Sequence, residues 1–220
     1  MRKDVFDLGG RDCWLFTNSD APEHLIIMPG NGFDETVQEV CRLAERSMNE
    51  QNGFVAAGFN SDDWDSEFSP WQADAAFKNS KPFGGEGGKT LGWVLNSFIP
   101  EVISRANCPG DTSRSIMGYS LAGLFALWAF LENDMFVSCA CCSGSLWFDK
   151  WLEYAENKHI GQNRRLYLSL GDKEEKTRNP KMSKVFDVTK KLFNIYKSEG
   201  GEGKVVFEMN AGGHFRVYSR

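Results

Sequence analysis

The chain has no apolar run approaching the ~20 residues that span a bilayer, so no segment of it reads as a membrane helix. It has no cluster of Lys and Arg. With 25 basic and 30 acidic residues its formal net charge is −5, which argues against a general phosphate- or nucleic-acid-binding surface. The first residues, "MRKDVFDLGG", are charged and lack the apolar core of a secretory signal, so a cytoplasmic location is expected. There is no internal repeat and no low-complexity tract. Histidine is scarce, at three residues, so candidates for a general base are few.

Six cysteines are present, but no CxxC pair completes a zinc set. In "FVSCACCSG" a strand would send Cys139 and Cys141 to one face and Cys142 to the other, so the three thiolates cannot converge on one ion. Buried, reduced thiols are expected, with no metal and no cofactor. The 220 residues, 41% of them hydrophobic, suit one domain with its own core.

What is present is alternation. "CWLFT", "HLIIM" (His24–Met28) and "GFVAAGF" (Gly53–Phe59) read as strands, and "DETVQEVCRLAERSMNE" has apolar residues at helical spacing. A long aromatic stretch without a clear period follows, from Asn60 to about Lys89. "TLGWVLNSFIPEVISR" is helical, and Pro100 should kink or restart it. Beyond it, strands around Arg114–Met117, Phe136–Cys142, Arg165–Leu170 and Lys204–Met209 alternate with helices over Leu121–Glu132 and Met182–Ser198. Such alternation means a mainly parallel sheet with helices on both faces. No linker divides the chain. It is read as a single domain over 1–220, with aromatic insertions at about 60–89 and 145–161.

"FGGEGGKT" resembles a phosphate-binding loop, but the first glycine that pattern requires falls on Phe83. Nucleotide binding is not expected. "GYSLAG" (Gly118–Gly123) is more informative. Ser120 sits where a short strand turns into an apolar helix. A hydroxyl there projects above the carboxyl edge of the sheet, and the next N–H points from the helix N-terminus at an incoming oxyanion. The alternative is a serine that merely caps the helix.

A nucleophilic serine needs a base. His24 lies at the far end of its strand and His159 in the polar "ENKHIG". His214 follows the last strand in "AGGHF", on the rim shared with Ser120. The acid should follow the strand Arg165–Leu170, in "GDKEEKTRN". Glu174, three residues past Gly171, is preferred, with Asp172 and Glu175 as competitors. The order Ser120, Glu174, His214 is the α/β-hydrolase order. The oxyanion donors would be the N–H groups of Leu121 and of Asn31, with Gly32 as second choice, in "MPGNGF". Trp64, Trp71 and Trp147 belong to aromatic segments on the same edge and are candidate pocket residues.

The pieces "SPW", "MGYSLAGLFALW", "SGSLWF", "YLSLGDKEEKTRNP" and "GGHF" resemble the esterase D-like branch of the α/β-hydrolases, including the enterochelin esterase-like hydrolases. The resemblance implies an α/β-hydrolase fold and cleavage of a small-molecule carboxylic ester through an acyl-enzyme, without a metal or organic cofactor. Its alternatives are acyl transfer by the same residues, or a non-catalytic binding module. The sequence departs from the family pattern in two places. Ala122 stands where the usual glycine would be. The chain also stops six residues after His214, which could leave a surface for a second subunit and so a homo-oligomer.

Overall fold

A computed structural model describes residues 2–30, 35–47, 53–200 and 203–214. Its centre is an eight-stranded sheet: β1 (Arg2–Asp7), β2 (Asp12–Thr17), β3 (His24–Pro29), β4 (Phe54–Phe59), β7 (Ser113–Tyr119), β8 (Ser138–Cys142), β9 (Arg165–Gly171) and β10 (Val205–Asn210). They lie in the order β1-β2-β4-β3-β7-β8-β9-β10. β1 and β2 form an antiparallel hairpin and β2 runs antiparallel to β4. All the other pairs are parallel. This is the mainly parallel α/β architecture of an α/β-hydrolase.

β1 was not anticipated, because its residues RKDVFD are mostly charged and only Phe6 is buried. It forms because Gly9 and Gly10 both take positive φ, 67° and 88°, as a two-residue hairpin turn requires. The Leu8 N–H donates to the Arg11 carbonyl across that turn.

Helices lie on both faces. On one, α1 (Glu35–Ser47) brings Val37, Cys41 and Ala44 against Trp14, Phe54, Ala56 and Ile26. On the other lies the larger core, where Leu15, Leu25, Ile27, Ile116, Cys139 and Leu168 meet the remaining helices. The central one, α5 (Leu121–Glu132), is buried at every position from Leu121 to Leu131. A helix apolar all round has no solvent face to offer, so it must be enclosed. Each such Leu or Phe contributes about 1.5–3 kcal/mol by leaving water. The carboxyl end of α5 is capped by Arg164. Its guanidinium donates to the carbonyls of Phe130 and Asn133, lies 3.7 Å over the Phe130 ring, and donates through Nε to Phe136.

The expected break at Pro100 is a restart. α3 (Gly87–Trp93) runs into a wide π-turn, Val94–Phe98, and then α4 (Ile99–Ala106). The Ile99 N–H reaches the Val94 carbonyl, five residues back, and Pro100 sits in the first turn of α4, where its missing N–H costs nothing.

The aromatic stretch after β4 is tightly packed. It contains α2 (Trp64–Glu67) and a two-stranded ribbon of β5 (Gln72–Ala73) and β6 (Phe83–Gly84). The Ser69 hydroxyl donates to the Asp65 carbonyl and accepts from the Gly85 N–H. Cβ atoms on Gly84, Gly85 and Gly87 would stand 2.2, 2.3 and 2.7 Å from Ser66, Gln72 and Ser69, so these three glycines of "FGGEGG" serve close packing. Arg11 forks onto both carboxylate oxygens of Glu67, at 2.8 and 3.1 Å, and lies 4.8 Å over Trp93, which fixes the stretch to the β1–β2 turn.

Two glycines separate backbone freedom from space. A Cβ at Gly92, inside α3, would meet nothing within 4 Å, whereas one at Gly58 would lie 2.4 Å from the Trp14 ring and 2.5 Å from the Met28 carbonyl. Gly92→Ala should therefore stabilise the fold by about 0.5–1 kcal/mol. Gly58→Ala should destabilise it by about 1–3 kcal/mol. Urea unfolding midpoints of the two variants check this; a Gly58→Ala protein as stable as wild type would contradict the packing described.

Candidate active site

The carboxyl ends of β7, β8, β9 and β10 meet at one edge of the sheet. β7 ends in the turn that carries Ser120, with φ 58° and ψ −125°. A left-handed non-glycine residue is costly, by about 1–3 kcal/mol, and persists only where its surroundings impose it. Here the Ser120 N–H donates to the Cys142 carbonyl at 3.1 Å, and the Ser120 carbonyl accepts from Leu124 and Ser145. The first turn of α5 crosses directly over the strand end. A Cβ at Gly118 would fall 2.2 Å from the Ala122 carbonyl oxygen.

This crossing explains the alanine at 122. It is the backbone of residue 122 that touches Gly118, and its methyl is accommodated in the core at 1% exposure. The position facing β8 is the next one. A Cβ on Gly123 would be 3.0–3.2 Å from the backbone of Gly118, Cys142 and Gly144. The need for a small residue therefore falls at 123.

The Ser120 side chain is not turned back on its helix: it makes no capping hydrogen bond. Its Oγ lies 2.9 Å from Nε2 of His214, which sits in the loop after β10. Nδ1 of His214 lies 2.8 Å from Oε2 of Glu174. The other carboxylate oxygen, Oε1, accepts from the Gly171 N–H at 2.8 Å and the Ser143 hydroxyl at 2.7 Å. The Glu174 N–H closes a turn onto the Gly171 carbonyl, which returns the side chain to the strand end. Burial pushes the Glu174 carboxyl upward, but the hydrogen bonds from His214, Ser143 and Gly171, together with the charge of His214, hold it below its ordinary 4.5. The stability this linkage contributes is present above 4.5 and lost as pH falls through the lower folded value.

The competing carboxylates point elsewhere. Asp172 and Glu175 are exposed. Asp172 accepts from the Gly212 N–H and so fastens the loop before His214. The other histidines are remote from this cluster: His24 bonds Ser113, and His159 pairs with Glu199. The Leu121 N–H lies at the first position of α5, where no helical carbonyl precedes it. Asn31 and Gly32 lie outside the described residues.

The three tryptophans differ in setting. Trp64 lies beside Gly30, at the end of β3, and is edge-on to Phe68 at 4.9 Å. Trp147 follows the segment that bonds Ser120 and contacts Phe83. Trp71 donates its indole N–H to the Asp149 carbonyl and lies among Phe148, Trp151 and Tyr154. Its ring thus anchors the 60–89 stretch to the segment around α6 (Trp151–Ala155).

Two residues of the cluster were not singled out from the sequence. Ser143 donates to Glu174, as above. Tyr119 donates its hydroxyl to the His214 carbonyl, and its ring lies 5.2 Å from the imidazole, tilted by 34°. The signal for both was adjacency: one precedes Ser120, the other follows strand β8.

Among the described residues no three His, Cys, Asp or Glu side chains gather as a metal ion would need, and no helix is long and apolar enough to cross a membrane. Cys139 and Cys141 face the larger core while Cys142 points to the opposite face, as strand alternation requires.

The "Putative esterase" family model matches residues 16–218. The chain belongs to that family. This esterase is 28% identical over 171 residues to the uncharacterized protein YbbA of Bacillus subtilis (strain 168), a match covering 74% of the chain and 67% of the relative. In fold it is similar to an IroE-like serine hydrolase from Shewanella oneidensis, with TM-score 0.77 and 15% identity over 98% of this chain and 75% of that one. It is likewise similar to the siderophore hydrolase EstA from Aspergillus nidulans, with TM-score 0.72 and 15% identity over 98% of this chain and 90% of that one. The esterase is thus an ester hydrolase of α/β-hydrolase fold.

Burial pushes the thiols of Cys13 and Cys41 up to about 11 and those of Cys139 and Cys141 higher still. Iodoacetamide at pH 8 should therefore leave Cys139 and Cys141 of the native esterase unmodified and label them only after unfolding, as read by peptide mass spectrometry. Rapid native labelling of either would contradict their burial.

Proposed function

We propose that this esterase cleaves a small-molecule carboxylic ester through an acyl-enzyme, with Ser120 as nucleophile, His214 as general base and Glu174 as the acid of the triad. The observation that carries this reading is the continuous chain of contacts Ser120 Oγ–His214 Nε2 and His214 Nδ1–Glu174 Oε2, at 2.9 and 2.8 Å. With Nδ1 donating to the carboxylate, Nε2 presents a lone pair to the serine hydroxyl.

His214 takes the Ser120 proton as Oγ attacks the ester carbonyl. Glu174 stabilises the imidazolium that forms. The Leu121 N–H, at the head of α5, donates to the developing oxyanion, and the loop after β3, with the Asn31 N–H, is the proposed source of a second donor. His214 then gives its proton to the leaving alcohol, and the same residues activate water to release the acid. Neither step requires a metal or a cofactor. Trp64 and Trp147 are proposed to flank the ester. The siderophore hydrolase and serine hydrolase named above support this class of chemistry.

A fluorophosphonate probe should label the protein once. Ser120→Ala should abolish labelling and lower kcat on p-nitrophenyl acetate by about 10⁴–10⁶-fold. Glu174→Gln should cost about 10²–10⁴-fold. Asp172→Asn and Glu175→Gln should cost much less. Labelling that survives Ser120→Ala, or a large loss in Asp172→Asn with a small one in Glu174→Gln, would overturn these assignments.

A further inference from the structure

The turn after β8 makes contact with both ends of the proposed machinery. The Cys142 carbonyl receives the Ser120 N–H, and the Ser145 N–H donates to the Ser120 carbonyl. Between them, Ser143 reaches the other way and donates its hydroxyl to Oε1 of Glu174 at 2.7 Å. The last residue of β8 and two residues of the turn that follows it therefore touch nucleophile and acid together. Ser143 is 7% exposed, and its backbone takes φ 45°, in the left-handed region. Its N–H donates to the Ser169 carbonyl at 2.9 Å, which fixes the residue to β9. A glycine would adopt this backbone more readily, so the residue type is explained by the hydroxyl rather than by the fold.

A carboxylate that bonds an imidazole through one oxygen can still rotate about its terminal torsion, which is broad. Rotation would break the bond to Nδ1 or turn the imidazole away from Ser120. The two donors on Oε1 remove that freedom. The Gly171 N–H enters from the strand, and the Ser143 hydroxyl from the neighbouring strand end. Only the latter belongs to the turn that also bonds Ser120.

We propose that Ser143 is a positioning residue of this esterase: its hydroxyl locks the Glu174 carboxylate in the rotation that presents His214 to Ser120. The inference rests on the triad reading above. The hydroxyl of Ser143 is directed at the Glu174 carboxylate, on the side away from His214 Nδ1. It acts through Glu174, and its contribution should vanish when Glu174 is absent.

The test separates activity from stability. Ser143→Ala keeps the costly backbone and loses the hydroxyl, whereas Ser143→Gly loses the hydroxyl and relaxes the backbone. Both should lower kcat on p-nitrophenyl acetate, and the rate of fluorophosphonate labelling, by about 10- to 100-fold, the worth of one hydrogen bond to a charged group. KM should change little. Ser143→Gly should melt above Ser143→Ala, so that activity follows the hydroxyl while stability follows the backbone. In a Glu174→Ala background the further change Ser143→Ala should cost less than about threefold, since coupled residues are not additive. A Ser143→Gly protein with wild-type kcat, or full losses that multiply in the double variant, would overturn the inference while leaving the triad standing. A Glu174→Ala protein with undiminished activity would overturn the triad reading as well.

Discussion

Everything at the carboxyl edge depends on one close approach of three backbones. β7, the first turn of α5 and the turn after β8 come within contact around Gly118 and Gly123, where added Cβ atoms would stand 2.2 Å from the Ala122 carbonyl oxygen at the first, and 3.0 Å from the Gly118 carbonyl oxygen and 3.2 Å from the Gly144 Cα at the second. That crossing forces Ser120 into its left-handed conformation and lifts its side chain clear of both elements. The cost is offset by the burial of α5, whose eleven positions from Leu121 to Leu131 are all enclosed. The apolar run "LAGLFALWAFL" is thus part of the site's construction. It supplies the core energy that holds one serine in an unfavourable backbone.

The second constraint is the parallel sheet. Ser120 and His214 are 94 residues apart in sequence, and Glu174 and His214 are 40 apart. Register brings them together: Tyr119 pairs with Cys142, Cys142 with Ser169, and Asn210 with Gly171. The entropy of closing those distances is met by the strand ladders and the core beneath them. The contacts among Ser120, His214 and Glu174 need not contribute to it, so substitutions there can change chemistry while the fold persists.

The strands "HLIIM" and "FVAAGF" were legible as apolar runs, the second buried at every position and the first at alternate ones. β1 was hidden by its charges, although Gly9-Gly10 between "VFD" and "CWLF" is a hairpin signal that composition alone does not weigh. The stretch 60–89 has no period because short elements, glycine contacts and the Arg11–Glu67 pair order it, and those are tertiary. Ser120 and His214 could be placed from strand ends alone. Among three nearby carboxylates only the turn closed by Glu174 N–H and Gly171 decides which one points inward, and spacing gave merely a preference. Ser143 could not be found from spacing at all, since what distinguishes it is a contact 31 residues away.

The setting of Glu174 has a further physical consequence. A buried carboxylate is expensive unless donors satisfy it, and here three do: a backbone N–H, a serine hydroxyl and an imidazole. Among the described residues its ion-pair partner is His214, and no Lys or Arg forms a salt bridge with it. A fixed cation at that point would neutralise the carboxylate's field before any reaction began. Against the upward push of burial, the hydrogen bond from His214 together with those from Ser143 and Gly171 holds the carboxyl ionised, and its field stays directed at the imidazole. In the proposed mechanism the positive charge that appears on His214 when Ser120 gives up its proton then meets a negative charge already in place. Little has to reorganise at that moment, which is the condition under which electrostatic stabilisation in a preorganised site is most effective.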